Sequence, residues 1–187
     1  MRLPIITKRF ATLRGAMRLI LSYGEVTLGM AGQRKPEPGE VERLVFVCHG
    51  NICRSAYAHV LAKRAGAQVA SFGLSTATGR SAHAPVIKLA ARRGINMTAH
   101  RSTDIDDFVP RQGDLLLAME TRHLRVLAAE PAVSHLPRML LGSFAPWPVP
   151  HLHDPYDEDE TYLPVCLTRI ERAVQGLLRR YPTSSGS

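Results

Sequence analysis

The sequence predicts an α/β fold, an open four-stranded parallel sheet flanked by helices, with an extra N-terminal helix. Three observations carry that prediction. From residue 43 onward, short apolar runs alternate with stretches of helical spacing, the order that right-handed βαβ units produce. Two of the runs, "RLVFVC" (43–48) and "DLLLAM" (114–119), have almost no polar interruption, as expected of strands covered on both faces. The beginning of the chain stands apart. Residues 1–36 hold seven Lys and Arg against one acid, Glu25, and so carry +6 of the chain's +8.

In chain order, "KRFATLRGAMRLILSY" (8–23) brings Phe10, Leu13, Met17, Ile20 and Leu21 near one helical stripe, with Arg14 and Arg18 on another. Gly24 is the expected stop. "AGQRKPEPGE" (31–40) has the Gly, Pro and charge of a linker. After the first strand, "SAYAHVLAKRAG" (55–66) reads as a helix opened by Ser55 and closed by Gly66. "VASFG" (69–73) is a second short strand. "APVIKLAARRG" (84–94) is a helix with Pro85 in its first turn and Gly94 at its end. "DLLLAM" leads into the helical "TRHLRVLAAE" (121–130), and "RMLLGSF" (138–144) supplies a fourth strand. "LPVCLTRIERAVQGLLRRY" (163–181) is a long amphipathic helix, in which Cys166 packs. The acidic run at 157–160 reads as a solvated turn. The expected domains are a basic amphipathic extension and linker (1–40), the α/β domain (41–182) and a disordered tail (183–187).

Composition narrows the classes. With 187 residues, 45% hydrophobic and 21% charged, the chain suits one globular domain. No run of 18 apolar residues is present, and the start lacks the apolar core of a secretory signal. Three cysteines are too few for a disulfide scaffold and point to a reduced, cytoplasmic setting. Their spacing does not make a zinc site. Because the basicity sits mostly in the arm, nucleic acid is not the expected partner. The arm is expected to dock on the domain, lie on an anionic membrane, or bind a partner. Its Arg-rich, acid-poor start also has the look of a transit peptide.

The chemistry concentrates in "VCHGNICRS" (47–55), between the first strand and its helix. Cys48 and Arg54 frame a five-residue loop of His49, Gly50, Asn51, Ile52 and Cys53. Amides in such a loop, together with a helix N-terminus, make a nest for an oxyanion. Gly50 and Asn51 are residue types that tolerate the left-handed backbone a nest requires. Arg54 can hold two phosphate oxygens in its planar fork. The positive field that draws phosphate also favours a thiolate, which makes Cys48 the candidate nucleophile. Ser55 can donate a hydrogen bond to the sulfur. These are the requirements of phosphoryl transfer through a phospho-cysteine. Asp154, stiffened by Pro155, is the candidate acid for the leaving group, and Tyr156 an aromatic wall for a flat substrate. His151 and His153 read as loop residues rather than metal ligands, and His49 as an exposed loop histidine.

With those residues in hand, the chain resembles the low-molecular-weight protein tyrosine phosphatases. The resemblance runs over about residues 43–181, through "VFVCHGNICRS", "VASFGLST", "HAPVIKLAARRGINMTAHRS", "DLLLAMETRHLRVL", "LLGSF" and "DPYDEDETY". It implies a four-stranded parallel sheet, Cys48 as nucleophile, Arg54 as phosphate binder, and Asp154 as general acid and then base. The loop residues His49, Gly50, Asn51, Ile52, Cys53 and Ser55, with Tyr156, would bind substrate. Asn51, Ser55, Ser71 and His100 match a hydrogen-bonding set that shapes the loop. Ile52 stands where related arginine-phosphate phosphatases carry Thr, which implies phosphotyrosine as substrate. Cys53 matches a second cysteine able to pair reversibly with Cys48 on oxidation. No metal or organic cofactor is implied. Bacterial members act opposite tyrosine kinases, which makes such a kinase a candidate partner. Departures include Ala56 for Pro, Phe72 and Leu74 for smaller residues, Thr103 for Arg, and Glu120 for Asp. The alternatives are an arsenate reductase on the same scaffold, or a non-catalytic phosphate-binding module.

Overall fold

The computed structural model describes residues 13–156 and 161–182. The positions read for Phe10, the acidic turn at 157–160 and the tail at 183–187 lie outside those residues. Within them, helix α1 (Leu13–Thr27) precedes strand β1 (Arg43–Cys48), α2 (Arg54–Arg64), β2 (Val69–Gly73) and α3 (Ala84–Arg92). Then follow β3 (Asp114–Ala118), α4 (Thr121–Ala129), β4 (Arg138–Leu140) and α5 (Leu163–Arg180). The four strands form one sheet in the order β2-β1-β3-β4, with every strand pair parallel.

The unbroken apolar runs follow from helices on both faces. Leu44 and Phe46 of β1, with Leu115 and Leu117 of β3, pack with Tyr57, Val86, Ile170 and Leu177 of α2, α3 and α5. Val45, Val47, Leu116 and Phe72 point the other way, onto Leu124 and Leu127 of α4. Register is pinned at the base of the sheet. Arg43 and Asp114 are paired residues of β1 and β3, and their side chains form a two-pronged ion pair at 2.7 Å. Gly66 closes α2 with a left-handed φ of 86°.

The N-terminal region departs from expectation. Gly24 does not stop α1, which continues to Thr27. The Thr27 hydroxyl bonds the carbonyl oxygens of Tyr23 and Gly24, and the chain turns at Gly29, where φ reaches 70°. The stripe of Met17, Ile20 and Leu21 faces solvent, while the Gly15 and Ser22 side is buried. Contacts to the sheet domain run through an ion pair of Glu25 with Arg125 and a bond from the Tyr23 hydroxyl to Pro148 O. The segment read as a linker is tied down too. Ala31 is buried, Arg34 exchanges backbone hydrogen bonds with Arg138, and Gln33 Oε1 accepts from Leu140 N at 3.0 Å. The predicted fourth strand is only three residues long, because Leu141–Phe144 winds into a 3-10 turn.

Candidate active site

The loop from Cys48 to Arg54 leaves the C-terminal end of β1, where open parallel sheets place ligands. Asn51 is the one non-glycine with positive φ (49°) among the described residues. Gly50, expected to share that conformation, does not adopt it; a Cβ there would meet only the Ile52 side chain, from 3.5 Å. The left-handed bend therefore rests on Asn51, and three bonds hold it. His100 Nε2 lies 2.8 Å from Asn51 O, Thr103 N donates to Asn51 Oδ1 at 3.0 Å, and Asn51 Nδ2 donates to Ser55 Oγ at 2.8 Å. A carbonyl can only accept, so His100 carries its proton on Nε2. Burial keeps the His100 ring neutral, pushing its pKa down.

These bonds continue to the sulfur of Cys48. The Thr103 backbone N–H orients the Asn51 amide, and that amide gives a hydrogen to Ser55 Oγ. Ser55 Oγ also sits 2.9 Å from Cys48 Sγ. When Cys48 is a thiolate it can only accept, and the Ser55 hydrogen then points at the sulfur. Asn51 and Ser55 are both fully buried, so water does not compete.

Gly73, paired in register with Cys48, shows why β2 can lie so close to the loop. A Cβ on Gly73 would stand 2.8 Å from His49 O, 2.9 Å from Thr76 Cγ2 and 3.0 Å from Gly50 C. Gly73→Ala is expected to displace the loop, costing about 1–3 kcal/mol of stability and roughly tenfold or more in turnover. A urea midpoint and an aryl phosphate assay check both.

Arg54 opens α2 and is almost wholly buried. Its Nη1 binds Glu120 Oε1 and donates to Leu152 O at 2.8 Å, while Nη2 binds Asp154 Oδ2. Nε is buried without a protein partner; an Nε–H beside Nη2 is the fork that a phosphate oxygen pair satisfies. Burial works against the charge, yet Asp154 and Glu120 hold the guanidinium protonated well above its ordinary range. Leu152 N donates to Met119 O at 2.9 Å, so the loop carrying Asp154 is anchored at the end of β3. Asp154 Oδ1 accepts from Tyr156 N at 3.2 Å, and the Tyr156 ring stacks on His83 with centroids 4.7 Å apart.

The predicted residues meet around one cleft of about 420 Å³. Cys48, His49, Gly50, Ile52, Cys53, Asp154 and Tyr156 line it, joined by Ser75, Arg80, Arg122 and His153. Ser71 differs from its expected part. It is buried on β2, but its hydroxyl makes no bond to the loop among the described residues and lies by a separate cleft with Arg43 and His59. Thr103 supplies the missing link through its backbone. Glu120 was visible only as a departure. Its buried carboxylate binds both Arg54 and Arg122, with His123 and His151 nearby. Burial raises the Cys53 thiol pKa far above its ordinary value, leaving it a thiol beside Cys48.

Residues 43–184 match the family model described as low molecular weight phosphotyrosine protein phosphatase. The chain belongs to that family. This phosphatase is 31% identical over 135 residues to the low molecular weight protein-tyrosine-phosphatase Wzb of Escherichia coli strain K12, covering 71% of this chain and 90% of Wzb. It is 27% identical over 142 residues to the probable low molecular weight protein-tyrosine-phosphatase EpsP of Ralstonia solanacearum, covering 75% and 96%. Its fold matches the crystal structure of the tyrosine phosphatase amsI of Erwinia amylovora with a TM-score of 0.66 and 25% identity, over 79% of this chain and 97% of amsI. The YwlE arginine phosphatase of Geobacillus stearothermophilus shares the fold at a TM-score of 0.62 and 24% identity, covering 74% of the phosphatase and 91% of YwlE. The domain is thus spanned almost whole, and α1 lies outside the residues that match the family.

Proposed function

We propose that this phosphatase hydrolyses phosphotyrosine in protein substrates through a phospho-cysteine, with Cys48, Arg54 and Asp154 as its catalytic groups. One observation carries the reading: Cys48 Sγ ends a buried hydrogen-bond chain through Ser55 and Asn51, inside a loop whose closing arginine also holds the candidate acid. The Cys48 sulfur attacks phosphorus, an S–P bond forms and the bond to the tyrosine oxygen breaks. Asp154 passes its proton to that oxygen. Water then attacks phosphorus, Asp154 takes a water proton, and the S–P bond breaks to return the thiolate. The Ser55 hydroxyl stabilises charge on the departing sulfur, and loop amides with Arg54 stabilise the equatorial oxygens. Ile52 and Tyr156 form the walls for the aromatic ring. Cys166 does not suit a disulfide relay of the arsenate reductase kind. It is fully buried, donates to His153 O at 3.7 Å, and burial has pushed its thiol up to about 12.

The test is release of phosphate from a phosphotyrosine peptide in chelator-treated buffer, with rapid acid quench to trap the phospho-enzyme. Asp154→Ala is expected to lower kcat roughly 10²-fold. Equal rates for the two proteins would remove Asp154 from its role, and turnover only with added divalent metal would defeat the whole reading.

The arm extends the proposal. Met17, Ile20 and Leu21 lie on the solvent side of α1, with Ile20 70% exposed, and Arg18 is exposed beside them. Arg2, Lys8 and Arg9 precede the helix in the sequence. An apolar stripe bordered by cations fits an anionic bilayer surface on the cytoplasmic side, where a tyrosine kinase would be the opposing enzyme. Vesicles with anionic lipid are expected to sediment the protein, and neutral vesicles to leave it in solution. Ile20→Asp should abolish the effect; binding that survives this change would place the contact elsewhere.

A further inference from the structure

We infer that Arg80 and Arg122 select phosphotyrosine sites flanked by acidic residues, one arginine on either side of the catalytic loop. The inference rests on the phosphotyrosine reading above and names the substrate class of that site. Both guanidinium side chains line the cleft that holds Cys48, yet neither is used by the chemistry. The sheet order β2-β1-β3 sets their positions. Arg80 sits in the loop that leaves β2, and Arg122 in the first turn of α4, which leaves β3. The loop of β1 lies between them, so a peptide carrying its phosphate to Cys48 has a cation at each flank.

Each arginine is held ready in its own way. The Arg80 backbone is clamped by Ser102, which is buried. Ser102 Oγ accepts from Arg80 N at 3.0 Å and donates to Ala77 O at 2.6 Å, and Ser102 N donates to Arg80 O at 2.9 Å. The adjacent Gly79 N donates to Ser102 O at 2.8 Å. Arg80 is thus an exposed side chain on a fixed backbone, and its guanidinium makes no ion pair among the described residues. Arg122 is steered from behind. Its Nε lies 2.8 Å from Glu120 Oε2 and its Nη2 donates to Glu120 Oε1 at 2.9 Å, while 48% of the side chain stays accessible. Among the described residues, the carboxylate that lines the cleft is Asp154, which is itself paired with Arg54. A carboxylate on the incoming peptide therefore meets a cation on each flank, Arg80 and the accessible part of Arg122. Planar guanidinium groups suit carboxylates by geometry as well as charge.

The experiment compares two phosphotyrosine peptides of equal length, one with Asp and Glu on both sides of the phosphotyrosine and one with Ser and Ala. The full-length protein is used, and the ratio of kcat/KM for the two peptides is read within each preparation, so partial misfolding cancels. Wild type is expected to prefer the acidic peptide about fivefold at low salt, through KM, and to lose most of that preference at high salt. Arg80→Ala should cut the ratio about twofold, and Arg80→Glu should lower it further. A wild-type ratio near one, or a ratio unchanged in both Arg80 variants, overturns the inference while phosphatase activity stands. Turnover of neither peptide overturns the phosphotyrosine reading itself, and the inference falls with it.

Discussion

Cys48→Ser is expected to lower turnover of an aryl phosphate by at least about 10⁴-fold while leaving phosphate binding nearly intact. The two halves of that result come from different parts of the loop. A serine hydroxyl is a far weaker nucleophile than a thiolate, so bond formation to phosphorus is lost. The groups that shape the oxyanion nest are elsewhere. Asn51 keeps its bonds to Thr103 N, Ser55 and His100, and Arg54 keeps Glu120 and Leu152 O. Oxygen is smaller than sulfur, so the buried position at the end of β1 accepts the change without strain. Phosphate affinity should stay within a few-fold of wild type by calorimetry. A variant that loses both binding and turnover would show that the sulfur shapes the loop; one that keeps more than a hundredth of the rate would remove Cys48 as nucleophile.

Glu120→Gln should be the most damaging change away from the substrate. It is expected to cost about 3–5 kcal/mol of stability, because it strips a buried charge of its partner, and roughly 10² in turnover, because Arg54 loses one of its anchors. The effect has a pH signature. Burial draws the Glu120 carboxyl upward, but the Arg54 guanidinium above all holds it well below its ordinary 4.5. A depressed carboxylate stabilises the fold above that ordinary value and loses its contribution as pH falls below it. Burial also lowers His123 to about 3 and His151 to about 4, so both stay neutral in the fold while the unfolded chain takes up protons near 6.5. Stability should therefore fall on acidification from about pH 6.5 down to 3 through the histidines, and more steeply below 4.5, where Glu120 adds to the loss. Urea unfolding of wild type and variant across that range should show the fall above pH 4.5 retained in Glu120→Gln and the steepening below 4.5 lost.

Most of the sheet was legible because each strand announces itself locally. "RLVFVC" and "DLLLAM" are buried on both faces and carry no alternation to misread, and Gly66 and Gly94 close helices in left-handed turns as their sequence context requires. The catalytic loop was legible for the same reason, since Cys48, Asn51, Arg54 and Ser55 lie within eight residues. What was hidden depends on approach between distant segments. Glu120 reaches Arg54 across 66 positions, and Thr103 orients Asn51 across 52. Gly73 matters because of a neighbour in another strand, and nothing in "VASFG" reports how near His49 O comes. The helix α1 was found by its period, but periodicity cannot say which face meets the domain. The apolar stripe turned outward because the small side, Gly15 and Ser22, was the one that fitted.

The pairing of Arg34 with Arg138 has a consequence for how copies of this protein behave in solution. The sheet ends at β4, and an outermost strand offers unpaired amides and carbonyls on which another molecule can build. Here Arg34 takes up both backbone groups of Arg138, at 2.8 and 3.0 Å, and adds a cation alongside. The N-terminal segment thus acts as a stopper against strand-by-strand self-assembly, and a chain trimmed to the catalytic domain would bare that border to its neighbours.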